Sequence, residues 1–282
     1  MSEPTARYEV QQPPMGLIGA GNMGEALLRG LTRERMRLVV AEQDAATRAA
    51  LAKRYGHQLT LVAKAGEAAH AAPVVILAVK PQDAPKVLQA IRKAWESQPK
   101  GHRLIISIAA GLSTAYIEAQ VPGKTAVVRV MPNLAAKVGK AVSAVVGGRW
   151  AVDADVRIAK RCFAAVGEVV EVPEKAMDAV TAVSGSGPAY VFALVAALAE
   201  AGVKVGLTKA VAERLARQTA VGAAALLSRT SDSAGMLVKQ VASKGGTTEA
   251  ALKVLAKKKW QAVFIEAVKA AHQRAKELSW QS

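Results

Sequence analysis

Three glycines near the start of the chain have the spacing of a phosphate-binding turn. They are Gly19, Gly21 and Gly24, and the G-x-G-x-x-G pattern follows a short apolar run and precedes a helical pattern. In such a turn the first glycine permits a sharp bend, the second lets the backbone approach a pyrophosphate, and the third lets the helix pack on the strand. The free N–H groups of that helix then face the phosphates. This arrangement predicts a dinucleotide site.

An acidic residue follows the second apolar run, at about the position where a carboxylate binds the adenosine ribose. This residue is Glu42, and a carboxylate there hydrogen-bonds the ribose 2′-hydroxyl and would repel a 2′-phosphate. We therefore expect the cofactor to be NAD(P)H with a preference for NADH. A surface loop glutamate is the alternative interpretation, and Arg33 and Arg48 are close enough in the sequence to bind a phosphate.

Alternating strand and helix patterns must position these residues. Apolar runs and amphipathic stretches alternate up to about residue 150, and long apolar helices follow. This order predicts an α/β protein with an N-terminal doubly wound, Rossmann-type, mostly parallel sheet and an all-α C-terminal dimerisation domain. We expect a flexible extension over residues 1–14, the dinucleotide-binding domain over 15–172, and the helical dimerisation and substrate domain over 173–282.

Five short segments fall at the predicted carboxyl ends of strands. They are residues 19–24, Glu42, residues 78–81, residues 107–111 and residues 131–133. Ligands of such sheets bind beyond the carboxyl ends of the strands. We therefore expect the five segments to form one crevice.

Two small-residue segments interrupt the helices of the second half. Residues 184–190 combine two glycines and two serines with a proline suited to the first helical turn. Residues 243–249 combine two glycines and two threonines at an open helix N-terminus, which suits a carboxylate ligand. A helix cap that uses Glu249 is the alternative interpretation of the second segment.

Composition and charge narrow the function classes. The formal net charge is +16, but the basic residues are scattered and aromatic residues do not alternate with them, so we expect no nucleic-acid partner. The single cysteine and the four dispersed histidines predict no metal site and suit a reducing cytoplasm. We expect charges to interrupt every long apolar run, and therefore no membrane contact.

The alanine-rich helices carry more apolar surface than a small domain needs to bury. We expect them to pair with a second copy of the chain. An ordinary all-α core is the alternative.

With these motifs in view, the chain resembles the pyrroline-5-carboxylate reductase family over nearly its whole length, from Met15 to about Leu278. The motifs that carry the resemblance are G-L-I-G-A-G-N-M-G at 16–24, A-V-K-P at 78–81, S-I-A-A-G at 107–111, R-V-M-P-N at 129–133, A-V-S-G-S-G-P-A-Y at 182–190 and S-K-G-G-T-T at 243–248.

The resemblance implies that 1-pyrroline-5-carboxylate is reduced to L-proline by NAD(P)H, the last step of proline biosynthesis. It implies a homodimer, with decamers as a further assembly of dimers. Thr248 is implied to hydrogen-bond near the ring nitrogen and is the catalytic candidate. The implied substrate-binding residues are Glu174, Val241, Ser243, Gly245, Gly246, Thr247 and Thr248. The expected cofactor-binding residues are Gly19, Ala20, Gly21, Asn22, Met23, Gly24, Glu42, Ala78, Val79, Lys80, Pro81, Ser107, Ile108, Ala109, Ala110, Met131, Pro132 and Asn133.

Two departures from the family pattern stand out. Lys244 occupies a position where the family usually has proline, and Ala65 occupies that of an asparagine near the adenosine ribose. Another imine or 3-hydroxyacid dehydrogenase of the same two-domain design is an alternative function. A non-catalytic protein that binds nucleotides or nucleic acid is a further one.

Overall fold

The computed structural model describes residues 13–98 and 101–280. Most of the predicted extension, residues 1–14, lies outside the described part. The described chain forms two compact units, one that runs up to Gly185 and resumes at Arg274, and one over Ser186–Gln273. The sequence pattern predicts a boundary after residue 172, whereas residues 173–185 belong to the first unit. Glu174 in that stretch bonds Arg129 and Thr114 of the first unit, in agreement with this grouping.

The first unit is built on one eight-stranded sheet. The strands are β1 (Met15–Ile18), β2 (Leu38–Ala41), β3 (Leu59–Val62), β4 (Val74–Leu77), β5 (Leu104–Ser107), β6 (Ala126–Met131), β7 (Ala141–Gly147) and β8 (Gly167–Glu171). Their order in the sheet is β3-β2-β1-β4-β5-β6-β7-β8. All neighbouring strands are parallel except β6 and β7, which are antiparallel. This confirms the mostly parallel, doubly wound sheet.

Helices cover both faces of this sheet because its strand residues alternate between two apolar cores. The α-helices of this unit are α1 (Asn22–Arg33), α2 (Ala45–Tyr55), α3 (Ala65–Ala71), α4 (Ala84–Glu96), α5 (Thr114–Gln120), α6 (Asp153–Ala164) and α7 (Met177–Val180). Leu17 and Ile76 lie in the core that α1, α2 and α6 share, and Ile18 and Val75 lie in the core that α3, α4 and α5 share. Burial on both faces explains the nearly continuous apolar runs of these strands.

The short helix α3 has no counterpart in the sequence prediction. It consists mainly of alanine and glycine, and its buried residues are Ala68 and Ala69. Trp95 of α4 holds it in place, because the indole N–H donates a 2.8 Å hydrogen bond to the carbonyl of Ala69. Large apolar side chains at helical spacing are absent from α3, so no periodic pattern marked it.

The second unit is entirely helical, and α12 returns the chain to the first unit at Arg274. Its first helix follows a π-helical turn at Thr181–Gly185, where we expected a break between helices. The helices are α8 (Gly187–Lys204), α9 (Lys209–Leu227), α10 (Ala234–Val241), α11 (Thr247–Lys257) and α12 (Trp260–Leu278).

One helical run within the described residues, Glu174–Lys204, has the length and apolar composition that a membrane crossing requires. Its most apolar window has a mean hydropathy of 1.6. The expectation that charges interrupt every long apolar run was therefore wrong, since residues 179–199 carry no charged side chain. Length and composition alone do not separate a bilayer from a protein partner as the environment of this run.

Candidate active site

The three glycines of the phosphate-binding turn differ in their surroundings as their proposed roles require. Gly19 has a φ of +95°, and a Cβ there would lie 2.7 Å from the carbonyl oxygen of Ala78. A Cβ on Gly24 would lie 2.1 Å from the carbonyl oxygen of Gly19, so helix α1 packs directly on the turn. A Cβ on Gly21 would meet no atom within 4 Å, which leaves this backbone open to a ligand.

Glu42 lies directly after β2 and is hydrogen-bonded to the same turn. Its carboxylate accepts a 2.9 Å bond from the N–H of Ala20 and another of 2.9 Å from the N–H of Asp44. The guanidinium of Arg48 donates to the carbonyls of Glu42 and Gln43. The carboxylate is therefore fixed beside the glycine turn, and Arg48 is committed to main-chain oxygens.

The other predicted cofactor-binding segments follow strands that are neighbours in the sheet. Strands β2, β1, β4, β5 and β6 are consecutive neighbours and parallel, so the five predicted segments emerge at one edge of the sheet. Main-chain bonds join neighbouring strand ends, from Ala78 to Ile18 at 2.8 Å and from Ile108 to Leu77 at 3.0 Å. Asn133 caps the short helix Leu134–Val138 by accepting a bond from Ala135.

A lysine beside this edge was missed in the sequence. The ammonium of Lys137 donates a 3.0 Å hydrogen bond to the side-chain oxygen of Asn22, the first residue of α1. It places a positive charge near the helix N-terminus where phosphates bind. Lys137 is remote from the glycines in sequence and belongs to no local motif, so only the fold reveals it.

Glu174 forms the centre of a polar cluster in the first unit. Its two carboxylate oxygens bond Arg129 of β6 and the hydroxyl of Thr114, the latter at 3.0 Å. Arg129 is 4% exposed, and its second terminal nitrogen has no hydrogen-bond partner among the described residues. Glu174 thus has protein partners for both oxygens, and direct contact with substrate stays a prediction.

The segment at residues 243–249 lies in the second unit and ends in helix α11. Gly245 adopts a φ of +76°, and its N–H donates a 2.6 Å hydrogen bond to the carboxylate of Glu249. This bond, reinforced by Lys253, lowers the pKa of the Glu249 carboxyl. The capping glutamate that the sequence left open as an alternative is therefore present.

This cap leaves the start of α11 available to an anion. Thr247 and Thr248 are the first two helical residues, and their N–H groups precede any intrahelical acceptor. Thr247 is exposed and Thr248 is half-buried. Ser243 lies close to Gly246, where an added Cβ would be 2.5 Å from the serine hydroxyl oxygen. Val241, the last residue of α10, is exposed.

The small-residue segment at residues 184–190 has a packing requirement. A Cβ on Gly185 would lie 2.8 Å from the terminal methyl of Met131, so this glycine allows the turn to approach the end of β6. Pro188 stands in the first turn of α8, as its residue type predicts.

Two family models match the chain. The first is described as "Pyrroline-5-carboxylate reductase dimerisation" and matches residues 174–278. The second is described as "NADP oxidoreductase coenzyme F420-dependent" and matches residues 14–111. The pyrroline-5-carboxylate reductase of Synechocystis is 41% identical over 94% of this chain and 97% of its own length. The chain belongs to the pyrroline-5-carboxylate reductase family. This confirms the resemblance that the motifs indicated.

Solved structures agree with the family assignment. The pyrroline-5-carboxylate reductase of Coxiella burnetii superposes with a TM-score of 0.88 at 33% identity, over 95% of this chain and 99% of its own. The pyrroline carboxylate reductase of Plasmodium falciparum, solved with NADP bound, has a TM-score of 0.80 at 28% identity, over 96% of this chain and 99% of its own. The fold class predicted from the sequence is thereby confirmed.

Proposed function

We infer that this chain reduces 1-pyrroline-5-carboxylate to L-proline by hydride transfer from NAD(P)H. The observation that carries the inference is the 41% identity to a pyrroline-5-carboxylate reductase across 94% of the chain. It favours this reaction over the other imine and 3-hydroxyacid dehydrogenases of similar design and over a non-catalytic binding protein.

The open backbone at Gly21 fits a dinucleotide, because no neighbour occupies the space that a side chain would fill. The cofactor supplies the hydride when bound. In our proposal the N–H groups at the start of α1 and the ammonium of Lys137 bind its pyrophosphate. Glu42 orients the adenosine ribose, and residues 78–81, 107–110 and 131–133 line the cofactor.

The helical unit contributes the residues that we propose for the substrate. The N–H groups of Thr247 and Thr248 and the hydroxyls of Ser243 and Thr247 bind its carboxylate, with Gly245 and Gly246 shaping the turn, and the Thr248 hydroxyl hydrogen-bonds near the ring nitrogen. Val241 packs on the ring. A protonated imine is already an electrophile, so hydride addition at carbon gives the secondary amine without a further proton donor at that carbon. Fixing the carboxylate then supplies much of the rate enhancement by orientation.

We propose that NADH is preferred. Glu42 supports this, because two N–H donors hold its carboxylate where a 2′-phosphate would be repelled. Glu42→Ser should lower the ratio of kcat/KM for NADH to that for NADPH by roughly tenfold, as expected for removal of a close like charge. Glu42→Gln keeps the shape and tests the charge alone, and Glu34→Ser at the exposed end of α1 is the control. An unchanged ratio in both Glu42 variants would remove this residue from cofactor selection.

We further propose that the active form is a homodimer, and that dimers assemble into decamers. The exposed apolar helices and the dimerisation model over residues 174–278 support an assembly of copies. In this proposal a second copy, rather than a bilayer, covers the apolar run Glu174–Lys204, and the enzyme works in the cytoplasm. Fractionation of cells and light scattering of the purified protein test these points, and a fully active species of one-chain mass would contradict the dimer.

The decisive assay mixes the purified protein with 1-pyrroline-5-carboxylate and either NADH or NADPH. Loss of reduced nicotinamide absorbance with formation of L-proline is the expected result. Turnover with neither cofactor would overturn the proposed function. Steeply salt-dependent DNA binding without turnover would favour the non-catalytic alternative instead.

A further inference from the structure

After α12 ends, the chain runs beside the edge of the sheet at which the five predicted segments emerge. The N–H of Trp280 donates a 2.7 Å hydrogen bond to the carbonyl of Gly111, and Trp280 forms a parallel β-bridge with Leu112. Leu112 is fully buried. Residues 278–280 therefore pair with the loop that follows β5 by main-chain hydrogen bonding.

Side chains of two further elements, α5 and α7, also contact residues 278–280. The Trp280 ring meets Tyr116 of α5 edge to face, with centroids 5.4 Å apart. The hydroxyl of Ser279 donates a 3.2 Å hydrogen bond to the carboxylate of Asp178 in α7. An edge-to-face pair contributes beyond its buried area, so the ring is a substantial part of this attachment.

The pairing depends on a glycine at the contact. Gly111 has a φ of +80°, and a Cβ there would lie 2.6 Å from the carbonyl oxygen of Leu278. The left-handed conformation and the close approach both require glycine at this position. The loop is thus shaped to accept residues 278–280.

The contact lies directly beside the proposed cofactor loop. Residues 107–110 precede Gly111, and Leu112 donates to the carbonyl of Ala109, whose own N–H donates to the Ser107 hydroxyl. Ala109 is 3% exposed and lies in the same apolar core as Leu112. A displacement at Gly111 or Leu112 would therefore be transmitted to the main chain of Ala109.

We propose that residues 278–280 position the loop at residues 107–110 for cofactor binding, with Trp280 as the positioning residue. This inference rests on the proposed function, in which that loop lines the cofactor. Trp280 does not need to touch the cofactor in order to act, because it holds the loop through Gly111, Leu112 and Tyr116. Cofactor affinity then depends on a segment that the cofactor-binding motifs do not include.

The test compares variants that remove successive parts of the attachment. Trp280→Ala removes the ring, and a chain ending at Ser279 removes the ring and its N–H donor together. Cofactor Kd, measured by fluorescence titration without substrate, should rise about threefold for Trp280→Ala and about tenfold for the shortened chain, in line with the loss of one ring pair and one hydrogen bond. The KM for the cofactor should rise in parallel. The KM for 1-pyrroline-5-carboxylate should stay within twofold of the value for the unaltered chain, which corresponds to about 0.4 kcal/mol.

Three controls separate positioning from general stability. Trp280→Phe should restore cofactor affinity. A chain ending at Trp280 should bind the cofactor as tightly as the full chain. Trp150→Ala should leave cofactor affinity unchanged, because the Trp150 ring pairs with Lys124 and Arg149 instead. Equal losses in both KM values together with a lower Tm would overturn the proposal, as would an unchanged Kd in the shortened chain. Fluorescence titration reports cofactor binding even if turnover with this substrate is absent, so failure of the proposed reaction is distinguishable from failure of this inference.

Discussion

Leu17, Ile76 and Ile106 of the sheet unit are fully buried, whereas Phe192, Leu194 and Val263 of the helical unit each expose at least 60% of their surface. All residues of the helical unit are described, and only Ala212 and Ala216 among them are buried. A sheet covered by helices on both faces encloses its own cores, whereas these helices leave apolar faces open. The sheet unit therefore encloses its own apolar cores, whereas the helical unit presents apolar surface of the kind that a protein or membrane partner covers.

The two units also differ in how they offer N–H groups to a ligand. In the sheet unit a glycine turn with an open Gly21 precedes α1, and Glu42 fixes that turn from the neighbouring strand. In the helical unit a local glutamate already caps the Gly245 N–H. The first arrangement depends on residues far apart in sequence, and the second on residues four apart.

The largest expected effect tests whether the open apolar face is an interface. Leu194→Glu in α8 should weaken dimerisation at least about 100-fold, because an unpaired charge in a buried interface costs about 3–5 kcal/mol. Sedimentation velocity across a concentration series measures this. Val138→Glu, at an exposed apolar residue of the sheet unit, is the matched control and should leave the dimer intact. A dimer that is unchanged by Leu194→Glu would contradict the proposal that this apolar face is an interface.

Within the sheet unit, two glycine substitutions should differ in kind. Gly24→Ala places a Cβ against the Gly19 carbonyl and should lower the free energy of unfolding by about 1–3 kcal/mol as well as abolish tight cofactor binding. Gly21→Ala meets no protein atom and should weaken cofactor binding with little change in Tm. Thermal melts and cofactor titrations separate the two outcomes. Equal loss of stability in both variants would contradict the assigned roles.

In the helical unit, Thr248→Ala should raise the substrate KM by roughly tenfold and leave the cofactor Kd unchanged, because it removes one hydrogen bond worth about 1–2 kcal/mol. Thr230→Ala is a threonine control remote from residues 243–248 in sequence. The Thr230 hydroxyl accepts a hydrogen bond from the Asp232 N–H. Initial-rate kinetics with each substrate varied in turn provide the measurement. A rise in the cofactor Kd instead would move Thr248 out of the substrate site.

The smallest effect concerns the closure of the sheet core around Cys162, which is 1% exposed. Burial raises the pKa of this thiol to about 12, from an ordinary value of 9.0. The native protein retains the proton that the unfolded chain loses, so the contribution of this thiol to stability should fall above about pH 9 by about 1.4 kcal/mol per pH unit, towards about pH 12.

Denaturant titrations near pH 8 and pH 10 measure this fall in the free energy of unfolding. The part of the fall that is due to the thiol should be absent in Cys162→Ala. A thiol reagent should label native Cys162 slowly at about pH 8, since only the thiolate reacts. Val205→Cys, at an exposed residue of the helical unit, should label at once. Rapid labelling of native Cys162 would show that the sheet core opens more readily than its burial indicates.

The amino-acid pattern was enough to predict how strands and helices alternate along the sheet unit and at which edge the glycine turn and four other segments emerge. It was enough because apolar runs mark buried parallel strands and because parallel strands end on the same side of a sheet. Even so, α3 escaped notice, since a short alanine-rich helix has no amphipathic period.

The long-range contacts could not be predicted in this way. The Arg129–Glu174 pair, the Lys137–Asn22 bond and the Trp280–Gly111 bond each join residues far apart in the chain. No local pattern of residue types specifies such partners, because each contact exists only once the sheet has brought its two segments together. The folded structure likewise showed that the Glu249 carboxylate accepts a bond from the Gly245 N–H, which is the helix cap that the sequence left open as an alternative.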